Sequence, residues 1–547
     1  MDGSILIVGA GPVGLAMALE LGNRGVDCVL VDQGDGTIEH PRTGLVAIRT
    51  MEAFRRWGIA EAVRNCGFPK NYGLSMVFCT SLNGLLLDRE AYPSMADAPT
   101  PPQTPEKKQR CPQLWLQPIL ASAAKAHPRV RILYRHEYVG HSQNAAGVTV
   151  QVRDLVSGGF KTMHSPYLLA CDGATSSVRE HAGIAMDGKL LSYSVNILFH
   201  SPGLVKQHVM GEAERYMFVG PEGMWGNLTV VDGDAVWRLT VLGSEEKMNL
   251  QHFNPHDWIC RALGTADEPN RIAYEIDSVI PWRRSEMLAQ AYKKGRVILA
   301  GDSAHTMSPT GGMGMNTGIQ EVLDLGWKLQ GVLAGWAHPD LLDTYEIERR
   351  PVAKRNSGFS TQNFQAWKDT PEPHAVCDDT EEGRQVRRVL GQRLRESTRV
   401  EWESIGLQIG HRYENSPICV SDGTPPYPDD YREYVPTTRP GSRAPHCWLD
   451  DGQSTLDLFG NGFTLVSFPN AQQSTIEAIQ TAFERRAVPL QVVTLRHAGA
   501  QALYEAPLVL VRPDGHVAWR GTDVSNAVHL VDVVRGAHVH QPAMTTA

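Results

Sequence analysis

Apolar residues fall along the chain in distinct rhythms. Residues 4–8, Ser-Ile-Leu-Ile-Val, form an unbroken apolar run that leads into Gly9-Ala10-Gly11-Pro12-Val13-Gly14. Leu15, Ala18, Leu19 and Leu21 then follow at helical spacing until Asn23-Arg24-Gly25, and Asp27–Val31 is a second run closing on Asp32. Short apolar runs bounded by turn residues read as buried strands, and strand, helix and strand of these lengths make a βαβ unit. Tyr167–Ala170 and Arg296–Ala300 are runs of the same kind; a Gly-rich loop and a helix from about Asn316 to Ala334, stopped by Gly335, follow the second. Alternation at Val148–Val152 and from Tyr193 to Leu242 predicts a β-rich region. Residues 384–403 are charged and helical in pattern. From Arg439 comes a separate α/β pattern, with strands near Phe463–Phe468, Leu490–Thr494 and Leu508–Val511 and a Pro513-Asp514-Gly515 turn before His516–Arg520. Pro93–Pro112 has no period and reads as a surface excursion.

Composition narrows the class. A chain of 547 residues predicts three or four domains at roughly 100–200 residues each. With 42% hydrophobic and 20% charged residues it is neither disordered, collagen-like nor coiled-coil. A net charge of −8 gives no footprint for nucleic acid or an anionic membrane, and no run of about 18 apolar residues predicts a membrane span. A strand that begins at Ser4 leaves no room for a signal peptide. The nine cysteines form no CxxC pair, which fits reduced thiols and a cytoplasmic location. His136 with His141, and His538 with His540, lack evident partners and read as solvated residues, so no metal is expected.

The first motif is a dinucleotide fingerprint. GxGxxG needs its glycines for a tight turn, for close approach of a pyrophosphate and for helix–strand packing. The phosphates then meet free N–H groups at the helix start. Gly9, Gly11, Pro12 and Gly14 are in register with the strand and helix, and Asp32 stands where a carboxylate accepts from a ribose diol. That carboxylate disfavours a 2′-phosphate, while NAD and FAD stay open at this point. Gly295–His305 is a strand ending on Gly301 and Asp302, followed by Pro309-Thr310-Gly311-Gly312-Met313-Gly314-Met315-Asn316 and an amphipathic helix. An acid at the carboxyl end of a parallel strand and donors at a helix start suit a ligand that develops negative charge. Asp172-Gly173-Ala174-Thr175-Ser176-Ser177-Val178-Arg179 follows Tyr167–Ala170 and, by itself, reads equally as a helix-capping turn.

GAGPVG, CDGATSSVR and GRVILAGDSAHTMSPTGGMGMNTG together resemble the class A FAD-dependent aromatic hydroxylases, the para-hydroxybenzoate hydroxylase-like group, from about residue 4 to residue 355. The tail, through Gly406–Gly410, Pro440–His446 and Val511–Arg520, resembles the phenol hydroxylase and hydroxyphenylpropionate hydroxylase branch. The resemblance implies an α/β and α+β multidomain fold: a Rossmann-like FAD-binding domain (1–75, 105–185, 279–360) interlocked with a substrate-binding β-sheet domain (76–104, 186–278). A helical segment and linker (361–436) and a thioredoxin-like domain without CxxC (437–547) complete it. That last domain reads as structural or dimer-forming, so a homodimer is expected.

By the same resemblance, Gly9, Gly11, Gly14 and Asp32 hold the adenosine diphosphate, and Arg42 and Gln113 contact the flavin. Asp302 binds the ribityl chain, Pro309 lines the isoalloxazine, and Met315 and Asn316 give backbone contacts at its pyrimidine edge. Asp172 belongs to a motif that contacts FAD and NAD(P)H. Asp32 departs from the family's more usual Glu but keeps the carboxylate. The implied reaction hydroxylates a small phenolic or activated aromatic substrate with FAD, NADPH or NADH, and O2, through a flavin C4a-hydroperoxide; the protein's part is positioning and solvent exclusion. Substrate contacts are sought at Leu190–Asp277, among His200, Arg215, Tyr216, Trp225 and Arg238, each also readable as an ordinary sheet position. No substrate base is identified. Flavin monooxygenation of a non-phenolic substrate (epoxidation, Baeyer–Villiger or N-oxidation) is the alternative. A halogenase is disfavoured by the missing Trp-x-Trp-x-Ile-Pro signature, an isoprenoid reductase by the hydroxylase-type tail, and an adaptor by the intact flavin motifs.

Overall fold

A computed structural model describes residues 3–42, 44–243, 246–247, 250–268, 270–370 and 373–540. The unbroken apolar runs form the four central strands of a six-stranded sheet in the order Lys293–Lys294, Val297–Leu299, Leu168–Ala170, Ile5–Val8, Cys28–Val31, Val130–Leu133, parallel except for the first pair. Parallel strands are buried on both faces, which is why these runs carry no alternation. Helix α1 (Pro12–Asn23) packs against α2 (Met313–Leu333). Register sets Val8 beside Ala170 and Val31, and Ala170 beside Leu299. The turns that follow, at Gly9, Asp32, Cys171-Asp172 and Ala300–Asp302, therefore emerge along one edge, where open α/β sheets bind ligands.

The alternating segment from Tyr193 to Leu242 belongs to an eight-stranded sheet in the order His305–Thr306, Glu275–Ala289, Met186–His200, Val236–Leu242, Gly223–Val230, Arg215–Gly220, Met76–Cys79, Leu86–Glu90, whereas Val148–Asp154 lies in a separate three-stranded sheet. The eight-stranded sheet is antiparallel save for the Arg215–Gly220 and Met76–Cys79 pair. One face, with Val195, Ile197, Tyr216, Phe218, Leu228, Trp237 and Leu239, is an apolar core. The other carries Ser194, Asn227, Thr229 and Thr240, all buried. Helices α3 (Thr344–Lys368) and α4 (Glu381–Trp402) cover part of it through Phe364, Trp367, Leu390 and Leu394.

The tail forms a four-stranded sheet, Leu490–Thr494, Phe463–Ser467, Leu508–Val511, Val517–Gly521, parallel in the first pair and antiparallel thereafter. It is not separate in packing. Trp327 and Leu341 lie in one core with Phe463, Leu465 and Leu510. Arg512 reaches Asp324 at 3.0 Å and Glu348 at 2.5 Å, both of which also hold Lys328, and all four side chains are fully buried.

Some expectations shift. The boundary at 278/279 falls inside the strand Glu275–Ala289, which pairs along its length with Met186–His200, so this segment of the eight-stranded sheet runs to Ala289. The boundary at 360/361 falls inside α3, which is continuous. Helix α2 starts at Met313 rather than Asn316, because Gly312 takes a left-handed conformation (φ 65°) and begins the helix early. The paired histidines have partners: His136 contacts Lys161 Nζ at 3.0 Å, His141 contacts Tyr138 Oη at 2.5 Å, and His540 contacts Asp343 at 2.9 Å. Residues 1–2 and 541–547 of the expected domain ranges lie outside the described residues.

Candidate functional site

The first turn is built by packing as much as by backbone freedom. A side chain at Gly9 (φ 105°) would place Cβ 2.3 Å from the Cys171 carbonyl oxygen, and one at Gly14 would place it 1.9 Å from that of Gly9. Gly11 meets nothing within 4 Å, so its outer side is open to a ligand. Pro12 sits at the first helical position and no side chain caps α1, leaving backbone N–H donors facing outward. Asp32 accepts the N–H of Ala10 at 2.6 Å and of Gly34 at 2.7 Å, which fixes its carboxylate beside the turn with lone pairs to spare.

Beyond Val297–Leu299 the chain makes a short turn at Gly301–Ser303. Buried Glu321 accepts the Gly301 N–H at 2.8 Å and holds His305 at 3.0 Å, while Ser303 donates to the Ala170 carbonyl at 2.6 Å. Asp302, thereby aimed outward, keeps accessible surface within a recess. Burial there raises its pKa, with His305 and Arg42 opposing. A Cβ on Gly314 would lie 3.9 Å from Asp302 Oδ1, so the start of α2 adjoins this acid. No side chain caps α2 either. The Asn316 side chain does not face a ligand: it accepts from the Ala47 N–H and Thr50 Oγ1 and donates to the carbonyls of Leu45 and Gly312. Its contribution at the helix start is limited to backbone, as for Met315. Pro309 is exposed on the preceding loop. Arg42 and Gln113, distant in sequence, meet: the Arg42 N–H donates to Gln113 Oε1 at 2.8 Å. Asp172 adopts the capping geometry, accepting from Ser176 Oγ at 2.5 Å and from the Val178 N–H at 3.1 Å; burial raises its pKa. Arg179, from the same motif, donates to the Ser303 carbonyl and ties the two acidic turns together.

The substrate candidates divide between the two faces of the large sheet. Arg215 and Arg238 lie on the buried polar face, in register through Thr229. Tyr216 does not: it points into the apolar core and donates to the Gly211 carbonyl at 2.6 Å, so strand alternation sets it on the face opposite Arg215. Trp225 stacks on Phe218 in the same core, and His200 is exposed at its strand's end. Arg215 pairs with Glu401 at 2.9 Å and lies near the rings of Trp367 and Trp402. Burial lowers its pKa, but Glu401 and Glu214 together more than compensate and the net direction is up. Arg238 donates to the Pro41 carbonyl at 3.0 Å, and burial lowers its pKa to about 10.

Sequence reasoning missed two residues here. Glu401, on α4, accepts both Arg215 and the Gly311 N–H at 2.9 Å, joining the sheet to the Pro309–Gly312 loop. Arg284, on Glu275–Ala289, donates to Ser308 Oγ at 2.7 Å. Glu401 lies in a helix dense with charge and Arg284 beside Arg283, so only packing distinguishes them. On the polar face, Ser192, Ser194, Trp282 Nε1 and Glu401 Oε2 have no protein partner, as befits a surface that meets a ligand.

Comparison with known proteins agrees with this layout. The model of a FAD binding domain matches residues 2–360, and that of an aromatic-ring hydroxylase C-terminal domain matches residues 437–537. The 4-methyl-5-nitrocatechol 5-monooxygenase of Burkholderia sp is 32% identical, over 95% of this chain and 94% of its own. The rebeccamycin biosynthetic enzyme RebC with reduced flavin superposes with a TM-score of 0.90 at 38% identity, covering 98% of this chain and 99% of its own. The flavin-dependent monooxygenase PieE, in complex with FAD and substrate, gives 0.86 at 30% identity, over 99% of this chain and all of that one.

Proposed function

The chain belongs to the FAD-binding family that carries an aromatic-ring hydroxylase C-terminal domain, and from that premise we propose that it hydroxylates a phenolic or otherwise activated aromatic ring, using NAD(P)H and O2. It is an FAD-dependent monooxygenase. The observation that carries the ring-substrate reading is the buried polar face of the large sheet, tied by Glu401 to the loop before α2.

The residues present fit FAD: two uncapped helix starts, the open side of Gly11 and an acid at each end of the edge. In this reading Gly9, Gly11, Pro12, Gly14 and Asp32 hold the adenosine diphosphate. Arg42, Gln113, Gly301, Asp302, Pro309, Gly314, Met315 and Asn316 surround the flavin half, with Asp172 bracing the adjoining turn. When bound, the flavin supplies the redox chemistry with oxygen. The chain's own part is electrostatic and steric. N–H groups at the start of α2 offset negative charge at the cofactor's edge. Glu401 fixes the loop against Arg215, and the rings of Trp367 and Trp402 keep water from that junction.

The tail's strand order and direction support a thioredoxin-like domain, and its burial against α2 supports a structural role. A cytoplasmic homodimer is the setting we infer, the first from nine free cysteines and the second from the family resemblance. Among the described residues, no helix is long and apolar enough to cross a membrane.

Anaerobic reduction of the flavoprotein by NADH and NADPH, with and without a panel of phenols, followed by oxygen and mass analysis, tests the reading. A phenol that speeds reduction and gains one oxygen atom is the expected result. Fast reduction without any phenol, with oxygen converted only to hydrogen peroxide, would overturn it.

A further inference from the structure

Arg284 is a buried cation with no carboxylate in contact, the charge of Glu401 reaching it only from beyond 4.0 Å. It is 2% exposed, and among the described residues no carboxylate lies within 4.0 Å of it, whereas buried Arg443 and Arg512 both hold one. Nη1 reaches only the Ser308 hydroxyl, and Nε has no partner. The guanidinium lies 4.8 Å from the ring of Trp282 and 4.1 Å from that of Phe364. Aromatic faces soften the loss of hydration but do not replace an anion. Burial lowers the pKa to about 9, which still leaves the group charged at neutral pH.

The surroundings of this cation point to a ligand rather than to packing. Ser192, opposite Arg284 in register, and Ser194 both have buried hydroxyls without partners. Ser308 stands directly before Pro309 and shares a hydrogen bond with Thr310 at 2.7 Å, which puts Arg284 at the seam between polar face and flavin loop. An apolar side chain would fill a slot between two rings at lower cost, so a charge kept there serves something else. A guanidinium is the side chain whose planar fork matches a carboxylate. Arg238, which also has no carboxylate within 4.0 Å among the described residues, adds positive potential on the same face.

We propose that Arg284 determines substrate specificity by pairing with a carboxylate borne by the aromatic substrate, with Ser192 and Ser194 as further donors to that group. The proposal rests on the hydroxylase reading and narrows it to acidic aromatics.

The test titrates FAD-loaded enzyme, following the flavin spectrum, with matched pairs: 4-hydroxybenzoate and phenol, indole-3-carboxylate and indole, 3-hydroxy-2-naphthoate and 2-naphthol. At least one acid should bind the native enzyme about tenfold or more tightly than its neutral partner. In R284M that preference should vanish while the neutral partner's affinity holds, and the ligand-free R284M should melt at a higher temperature. If R284M does not accumulate, R284K serves: it keeps the charge but loses the fork, and its preference should fall. An intact preference in either variant, or no preference for any acid in the native enzyme, overturns the proposal. Hydroxylation of the neutral members with equal efficiency would do the same, yet leave the hydroxylase reading standing.

Discussion

The two halves of the site are made of different material. The nucleotide half is backbone: Gly9, Gly11 and Gly14, two uncapped helix starts, and acids set at strand ends by the register of a parallel sheet. The proposed substrate half is side chain, gathered from afar: Arg215 meets Glu401 across 186 residues, and Glu401 meets Gly311 across 90. A backbone site is specified locally and, at Gly9 and Gly14, tolerates no added atom. A side-chain site is specified by packing and can be rebuilt in pairs.

The largest effect should come from the backbone half. Gly14→Ala places Cβ on the Gly9 carbonyl, which backbone cannot yield, and no soluble flavin-loaded protein is expected from expression. Recovery of yellow, folded G14A would break the contrast. In the other half, Glu401→Ala strands the Arg215 cation and should cost about 3–5 kcal/mol in urea unfolding. Adding Arg215→Met should restore a good part of that loss; a double variant no more stable than E401A would show that the pair is not an exchangeable unit. Asp302→Ala should weaken FAD retention about tenfold, read by ultrafiltration of the holoenzyme, and full flavin in the variant would count against its placement.

A smaller effect is set by pH. His305, fully buried, has a pKa raised above 6.5: burial lowers it, but the charge and hydrogen bond of Glu321 outweigh that. The folded chain thus holds this proton more tightly than the unfolded chain. Its stabilisation is complete below pH 6.5 and fades as pH rises through the folded value. Melting curves of native protein should decline over that window, and His305→Gln should flatten the decline. The smallest effect is expected at Tyr216→Phe, which removes one hydrogen bond to Gly211, costs about 1 kcal/mol and leaves substrate KM unchanged. A raised KM would return Tyr216 to the site.

What could be read in the sequence follows the same division. Strand, turn and helix around Gly9–Gly14 are adjacent in the chain, and their meaning survives without a structure. So does Asp302, because its strand and glycine loop flank it. Arg215 and Tyr216 are neighbours in sequence and both plausible, yet alternation sends them to opposite faces, and nothing in the sequence says which face is polar. Glu401 was hidden for a different reason: a helix with many charges offers no local sign of which are buried. Asn316 lies in the first turn of α2 rather than at its start, and its side chain binds Leu45, Ala47 and Thr50 of a distant segment as well as Gly312.

The buried charges joining α2, α3 and the tail also set an order of events during synthesis. Glu348 must wait for Arg512, 164 residues later, and at about 5–20 residues per second that interval is roughly 8–30 s. Until then Asp324 and Glu348 have only the charge of Lys328 between them, and Trp327 lacks the Phe463 ring that covers it. The nascent flavin domain therefore spends those seconds with part of its interior exposed, and chaperone capture should concentrate on chains stalled between these two residues.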